Sequence, residues 1–162
     1  MTQTLTLTTS TLISAIKRHL SIIGKRLYSK DGKNMFSDIT LSSAESEPIL
    51  TQYINASVHD IEAALKQFIT SCTYSTNFTI TIDNTRGDDD FGARTQALSE
   101  SYVTLNTTGE YLSMTHPDIA QKYYRDAQQR MESLIAYVYY KKPPIAQSST
   151  LSYTDPDGAV TQ

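Results

Sequence analysis

Apolar residues recur at steps of three and four along three long stretches of the chain, and this spacing constrains the fold more than any other feature. The second stretch begins near Ser46 and forms one helical stripe, made of Leu50, Ile54, Val58, Ile61, Leu65 and Phe68. Pro48 falls in the first turn of this predicted helix, where a missing N–H costs little. A stripe of this width has to be buried against another element, so the spacing predicts a helical core.

The first stretch predicts a helix that Thr9 or Ser10 caps. Its apolar face consists of Leu12, Ile13, Ile16, Leu20, Ile23 and Leu27. A polar segment without periodicity, residues 30–46, follows before the second helix.

The third stretch predicts the last helix. Thr115 and Asp118 resemble a capping box, and Pro117 lies in the first turn. The apolar stripe consists of Ile119, Tyr123, Ala127, Met131, Leu134 and Val138. The helix is expected to end at the sequence "KKPP", because lysines suit the negative end of the helix dipole and prolines prevent continuation.

Between the second and last helices the pattern changes. In "NFTITIDN", residues 77–84, Phe78, Ile80 and Ile82 alternate with threonines, which predicts a strand with one buried face. Residues 91–105 favour a short helix with an irregular turn at Gly109, although "SYVTLNT" also suits pairing with that strand. We therefore expect a mainly α fold, a small bundle of about four helices with a minor β strand or hairpin over residues 1–142. An extended C-terminal arm, residues 143–162, is expected to follow.

Composition excludes several classes of function. The 162 residues carry a net charge of -3, which argues against a broad electrostatic grip on nucleic acid. The N-terminus lacks the basic and apolar regions of a signal peptide, and no apolar run approaches the roughly 18 residues of a membrane span. We expect a soluble protein that is made in a cytoplasm.

No pattern in the sequence predicts a catalytic residue, a cofactor or a metal. Cys72 is the single cysteine, interpreted as a small buried hydrophobe. "DNTRGDDD", residues 83–90, lacks the ligand spacing of a calcium loop and is interpreted as a solvated turn before an acidic helix start. His59 and Glu62 are interpreted as a surface pair one helical turn apart.

Two further histidines, His19 and His116, lie in no nucleophile, phosphate or dinucleotide motif. An enzyme would need a site assembled only in three dimensions, with Asp83, Asp88 and His116 around a metal as the candidate set.

Two segments carry a resemblance to a known family. "LISAIKRHLSI" and "EPILTQYINASVHDIEAALKQFI" resemble the opening of the head–tail connector proteins of tailed bacteriophages, the adaptor family. Those proteins begin with a short helix bearing Lys-x-x-Leu and continue with a helix that reads Leu-x-x-Tyr-Ile-x-x-Ala. The matching positions here are Lys17, Leu20, Leu50, Tyr53, Ile54 and Ser57, the last a small residue near the alanine position. "HPDIAQKYYRDAQQRMESLIAYVYY" fits the family's final helix, which packs across the first pair.

The resemblance implies a structural virion protein at the head–tail junction. Copies of the chain would form a ring, commonly of twelve, beneath the portal protein, and the ring would present a docking surface to the next tail or ring component. DNA would pass through the channel without sequence-specific binding, and the protein would catalyse nothing. Asp88, Asp89 and Asp90 are hypothesised to face that channel, where like charge prevents sticking.

The C-terminal segment suggests a docking arm, because it lacks the periodicity that builds a core. It would lie extended on a neighbour or add a strand to an exposed sheet edge, and "TLSY" and "AVTQ" could form a hairpin around "TDPDG". The candidate partner-binding residues are Tyr139, Tyr140, Lys141, Lys142, Pro143, Pro144, Ile145, Leu151 and Tyr153. The alternative function is a small cytoplasmic helical regulatory or binding module acting as a dimer.

Overall fold

Helices and a small sheet alternate in the computed structural model, which describes residues 2–26, 43–83 and 89–140. In chain order the elements are β1 (Thr2–Thr8), α1 (Thr9–Arg26), α2 (Ser43–Leu65), β2 (Ile69–Tyr74), β3 (Asn77–Asp83), α3 (Phe91–Ser113) and α4 (Pro117–Tyr139). The predicted mainly helical fold with a small β part is confirmed. The arm predicted for residues 143–162, Leu27 and most of the polar segment 30–46 lie outside the described residues.

The three strands form an antiparallel sheet in the order β1-β3-β2. The register pairs Leu5 with Ile80 and Leu7 with Phe78, so the apolar residues of neighbouring strands share one face. That face is buried and comprises Leu5, Leu7, Phe78, Ile80 and Ile82. The other face carries threonines of all three strands, which are exposed or half-buried. The strand predicted at residues 77–84 is confirmed as β3.

Two strands were not predicted. β1 has only two apolar residues, Leu5 and Leu7, so its alternation becomes meaningful only once β3 is seen to pair with it. β2, "ITSCTY", follows the second helix after a turn of three residues and resembles a polar stretch that ends a helix. The register pairs Tyr74 with Phe78 across the three residues 75–77, which makes β2 a hairpin strand.

The helical stripes supply the rest of the core and confirm the spacing argument. α1 buries Leu12, Ile16, Leu20 and Ile23, and α2 buries Leu50, Ile54, Val58, Ile61 and Leu65. α4 buries Ala127, Leu134 and Val138 from its predicted stripe, while Ile119, Tyr123 and Met131 are partly buried against the same core. Phe68 lies in the turn after α2 instead of in the helix.

α3 differs most from the prediction. The helix does not end before Gly109 but continues to Ser113, and "SYVTLNT" is part of it. Gly109 is buried against α4, where a Cβ would lie only 3.1 Å from ring carbons of Tyr124. The glycine therefore serves the close approach of two helices and not a turn.

Buried hydroxyl groups explain why the helical periodicity of α3 is weak. Thr95, Ser99 and Thr108 each donate a hydrogen bond to the carbonyl four residues earlier, at 2.6, 2.9 and 2.7 Å. A hydroxyl that is satisfied within its own helix can be buried without a partner elsewhere. The buried face of α3 is consequently polar in composition, and a search for apolar spacing does not detect it.

Two predicted helix starts are also corrected. α2 begins at Ser43, so Pro48 lies in its second turn, where the missing N–H removes only one hydrogen bond and the helix extends past it. α4 begins at Pro117 as expected, but its N-cap is His116 and no side chain caps it. The capping box of Thr115 and Asp118 is therefore wrong, because the Thr115 hydroxyl contacts the His116 ring, 3.0 Å from Nδ1.

Replacing Thr107 by valine should stabilise the protein. The Thr107 hydroxyl is fully buried and finds no hydrogen-bond partner within the described residues. An unpaired buried hydroxyl costs about 1–3 kcal/mol, and valine has nearly the same shape, so we expect Thr107→Val to raise the unfolding free energy by about 1 kcal/mol. Urea unfolding measures it.

The matched control is Thr108→Val, which removes a hydroxyl that does have a partner. The unfolding free energy of this variant should stay the same or fall by up to about 1 kcal/mol. Equal gains in both variants would contradict the assignment of an unpaired group at Thr107.

Candidate docking surface

The two edge strands of the sheet differ in their surroundings, and α3 packs against the outer edge of β1. The side-chain amide of Gln96 on α3 pairs with the backbone of Thr6: the Thr6 N–H donates to Gln96 Oε1 at 3.3 Å, and Gln96 Nε2 donates to the Thr6 carbonyl at 3.1 Å. Gln3 packs over Gly92 at the start of the same helix. α3 thus lies against the outer edge of β1 and satisfies the outward backbone groups of Thr6, in the middle of the strand.

The hydrogen bonds of Gln96 also show in which direction the backbone N–H and C=O groups of the sheet point. Because the N–H and C=O of Thr6 point outward, those of its partner Thr79 point towards β2. Thr79 is paired with Thr73, so the N–H and C=O of Thr73 point inward and those of Cys72 and Tyr74 point away from the sheet. β2 therefore has an outer edge with open hydrogen-bonding groups.

No described strand pairs with that edge, and Glu62 of α2 and Lys66 in the turn after it lie beside residues 69–72. No described residue donates to or accepts from the outward backbone groups of Cys72 and Tyr74, and Thr70, Ser71 and Thr73 are exposed. Residues 69–76 contain no charge and no proline, two of the devices that protect an edge strand, and the register shift between Ile69 and Ser71 lies before Cys72 and Tyr74. An unprotected edge of this kind is a template for pairing with another strand.

A side-chain network holds the edge strand on the helical layer. The Tyr74 hydroxyl donates to the Glu62 carboxylate on α2, and His59 Nδ1 lies 3.3 Å from Glu62 Oε2. The Tyr74 ring also meets the His59 ring with centroids 4.8 Å apart. The hydrogen bond from Tyr74 is the main reason that the pKa of Glu62 is lowered, and burial and that same bond raise the pKa of Tyr74. The predicted surface pair of His59 and Glu62 is confirmed, and its role is to fix β2.

Aromatic rings gather where α4 ends, and we call this region the C-terminal pole. It consists of Phe68, Phe91, Arg94, Tyr137 and Tyr139. The Tyr139 and Phe68 rings meet edge-on at 4.7 Å, and the Tyr139 hydroxyl donates to the Ala64 carbonyl at 3.4 Å. The Phe91 ring stacks on Tyr137 at 5.8 Å, with the Arg94 guanidinium 4.8 Å from the Tyr137 centroid. The end of α4 thus lies beside the turn that leads into β2.

The structure places some of the predicted site residues at this pole. Tyr139 and Tyr140 are 41% and 51% exposed. Asp89 and Asp90 are exposed just before Phe91, so they lie near the same pole. Lys141, Lys142, Pro143, Pro144, Ile145, Leu151 and Tyr153 lie outside the described residues, as does Asp88.

A second, polar feature lies on another side of the molecule. A cleft of about 580 Å³ opens between α1, α3 and α4, with Glu100, Asp126 and Arg130 among its lining residues. His19 also lines it and packs edge-on against Tyr123 with ring centroids 6.0 Å apart. Burial, and then the charge of Arg18, lower the pKa of His19, so its ring is neutral near pH 7. The cleft suits a small polar group, and nothing on its walls selects one.

The other potentially reactive or metal-binding side chains of the described residues do not form a common site. Cys72 is half-buried on β2, and burial raises the pKa of its thiol. Within residues 2–26, 43–83 and 89–140, no three His, Cys, Asp or Glu side chains come together as a metal site would require. Asp88, part of the candidate metal set, is outside those ranges.

Sequence reasoning missed the residues that decide the state of the two edges. Gln96 is 90 residues from Thr6, and no local pattern connects them. Tyr74 could have been assigned to a strand from the sequence, since an aromatic residue in a β-branched run beside a clear strand favours a hairpin.

Comparison of the chain with protein-family models, with curated proteins and with solved structures finds no match. Among the described helices, none has an apolar run long enough to cross a bilayer.

Glu62→Gln should change how stability depends on pH. The folded-state pKa of Glu62 is lowered from its ordinary value of 4.5, so the carboxylate contributes stability above that pH and loses it as the pH falls through the lowered pKa. We expect the gap in unfolding free energy between the native chain and Glu62→Gln to be fully present above the ordinary pKa of 4.5 and to close as the pH falls below it. Urea unfolding at pH values above and below 4.5 measures it.

Tyr74→Phe is the matched variant, because it removes the main hydrogen bond to Glu62 and leaves the carboxylate. Much of the pH dependence of the unfolding free energy should disappear in Tyr74→Phe as well. A gap that stays constant with pH in both comparisons would show that the Tyr74–Glu62 bond does not act on stability.

Gln96→Ala should open the covered edge. It removes both hydrogen bonds to Thr6, each worth about 0.5–1.5 kcal/mol, so we expect a loss of about 1 kcal/mol and faster hydrogen exchange of the Thr6 amide. Gln128→Ala on α4, whose amide bonds only Glu132 one turn along, is the control. An unchanged exchange rate at Thr6 would refute the covering role of Gln96.

Proposed function

We propose that this chain is a structural virion protein, a head–tail connector of the adaptor kind. Copies of it form a ring below the portal protein, extend the DNA channel and dock the next tail or ring component. The observation that supports this best is the open outer edge of β2 beside the C-terminal pole with its exposed tyrosines. Backbone groups and amphipathic aromatic rings are what subunits use to join other proteins.

The arrangement of the helices agrees with what the resemblance implies. Lys17 and Leu20, the two matched positions of α1, have distinct roles: Lys17 Nζ pairs with Glu47 Oε1 at 2.8 Å and ties α1 to the start of α2, while Leu20 enters the core. The matched positions Leu50, Ile54 and Ser57 are all buried. The shared pattern therefore consists of residues that join the first two helices.

The last helix also suits the family's final helix. It begins with Pro117, packs along α3, and reaches the end of α2 through Tyr139, Ala64 and Phe68. The carbonyl of Ala64 and the ring of Phe68 thus hold the point from which residues 141–162 depart. A fixed departure point is what a docking arm requires.

In the ring, the acidic residues before α3 face the DNA channel. Asp89 and Asp90 are exposed, and Asp88 precedes them in the chain. Together with the net charge of -3, they repel the DNA backbone and let DNA slide without sequence-specific binding. The protein has no catalytic part in this proposal, and it is made in the host cytoplasm before entering the virion. A ring structure with these aspartates on the outer wall would disprove the channel assignment.

One observation favours the alternative, a small helical regulatory or binding module that acts as a dimer. The edge of β2 is free of charge, so it can pair antiparallel with the same edge of a second copy, which gives a closed two-fold dimer.

Particle mass distinguishes the two functions. We expect the full chain, alone or with a portal protein, to form discrete rings in native mass spectrometry, and the chain truncated after Lys142 to remain a folded monomer. A full-length variant with residues 143–162 in scrambled order is the control for length and composition.

A dimer that is unaffected by the truncation would instead establish the alternative. Loss of the circular-dichroism signal of the truncated chain would show that the segment belongs to the fold, and the docking-arm assignment would fail.

A further inference from the structure

We propose that the outer edge of β2 receives the C-terminal segment of a neighbouring copy, with residues 149–153, "STLSY", added as a fourth strand. This inference rests on the proposed ring and identifies the surface that its docking arm contacts. The occupant is a segment of this same chain, and the acceptor is the backbone of Cys72 and Tyr74.

The acceptor is fixed by the register of the sheet. Cys72 and Tyr74 direct N–H and C=O groups away from β3, as the alternation from Thr6 through Thr79 requires. A strand that pairs with both residues forms up to four main-chain hydrogen bonds. The β1 edge is less suited to receive it, because Gln96 already binds the equivalent groups of Thr6 and α3 lies against that edge. Of the two described edges, the β2 edge is therefore the better acceptor of a strand.

The edge strand is also held in position before any partner arrives. Tyr74 is fixed by Glu62 and by the ring of His59, so β2 does not have to be ordered upon binding. Preorganisation of this kind lowers the entropic cost of adding a strand.

The departure point of the segment lies beside this edge. Tyr139 packs on Phe68, which immediately precedes Ile69, the first residue of β2. Residues 141–148 link Tyr140 to the proposed strand, and these eight residues reach about 27 Å when fully extended. β2 itself has six residues and spans about 20 Å, so the linker is long enough to pass this edge and reach an adjacent copy that abuts it.

The composition of the segment suits the edge. Leu151 and Tyr153 alternate with Thr150, Ser152 and Thr154, a period-two pattern without charge that matches the uncharged β2. Pro143 and Pro144 each favour an extended conformation at the residue before them, so Lys142 and Pro143 favour an extended backbone. An immediate return onto the edge of the same copy is therefore disfavoured, and the adjacent copy is the acceptor.

The single cysteine of the chain makes a direct test possible. One copy is truncated after Lys142 and keeps Cys72. The other is full-length, carries Cys72→Ala, and has one new cysteine, in turn Thr150→Cys, Leu151→Cys, Ser152→Cys or Tyr153→Cys. The copies are mixed, treated with a mild oxidant and run on a gel without reductant, where any disulfide must join the two copies.

We expect crosslinks at alternate positions of the scan, because only side chains on one face of an added strand approach Cys72 closely enough for a disulfide. Gln121→Cys, exposed near the start of α4 and far from the C-terminal pole, is the control and should give none. Equal crosslinking at all four positions, or none, overturns the strand assignment. Crosslinks that form only within one full-length chain, in variants that retain Cys72, overturn the neighbouring copy as acceptor.

A second measurement needs no disulfide. A synthetic peptide of residues 145–162 should bind the truncated chain, and Cys72→Pro, which removes an outward N–H, should weaken that binding at least tenfold. Cys72→Ala keeps the N–H and should bind as the native chain does. Circular dichroism verifies that both variants fold, and equal binding by the two would overturn the proposal.

The crosslinking results and the particle mass together test the added strand and the proposed ring separately. Rings that form without alternate crosslinks refute the strand and leave the connector function standing. Alternate crosslinks between copies that never form a ring support the strand exchange and refute the ring.

Discussion

Leu5, Leu7, Phe78, Ile80 and Ile82 line one face of the sheet, and all five are buried against the helices. This contact sets the register of the three strands, because a shift by one residue would exchange these side chains for threonines. The register in turn decides which backbone groups of β1 and β2 point outward. The difference between a covered edge and an open edge therefore follows from the packing of five apolar side chains.

The helices complete this arrangement in two ways. α3 crosses the β1 edge and provides Gln96, while its small buried residues allow α4 to pack close beside it at Gly109. α4 then ends at the turn that leads into β2, where Tyr139 contacts Phe68. On the β1 edge a side chain satisfies the outward groups of Thr6, while the β2 edge remains available near the place where the C-terminal segment departs. The proposed connector uses this asymmetry, since a subunit with one donor segment and one acceptor edge can join copies head to tail.

Much of the fold could be predicted from sequence, and the failures have physical causes. The stripes of α1, α2 and α4 are hydrocarbon patterns with a period near 3.6, so spacing alone located them. α3 was predicted too short, because its buried face is made of hydroxyls such as Thr95 and Ser99 that bond within the helix. Gly109 suggested a turn, since its effect on packing depends on Tyr124 in another helix.

The candidate surface was harder to predict than the helices. Tyr139 and Tyr140 at the end of α4 were proposed from the sequence as partner-binding residues, and both are exposed. The open edge was not identified, because it depends on the long-range pairing of β1 with β3 and on the contact between Gln96 and Thr6. The role of Glu62 was similarly hidden until β2 placed Tyr74 beside it.

Hydrogen exchange at four consecutive amides of β2 tests the account most directly. In the truncated, unassembled chain, Ser71 and Thr73 should be protected by β3, while Cys72 and Tyr74 should exchange rapidly with solvent. In the assembled full-length protein all four amides should be protected. Rapid exchange at Cys72 and Tyr74 in the assembly would contradict the claim that this edge is where the subunits join.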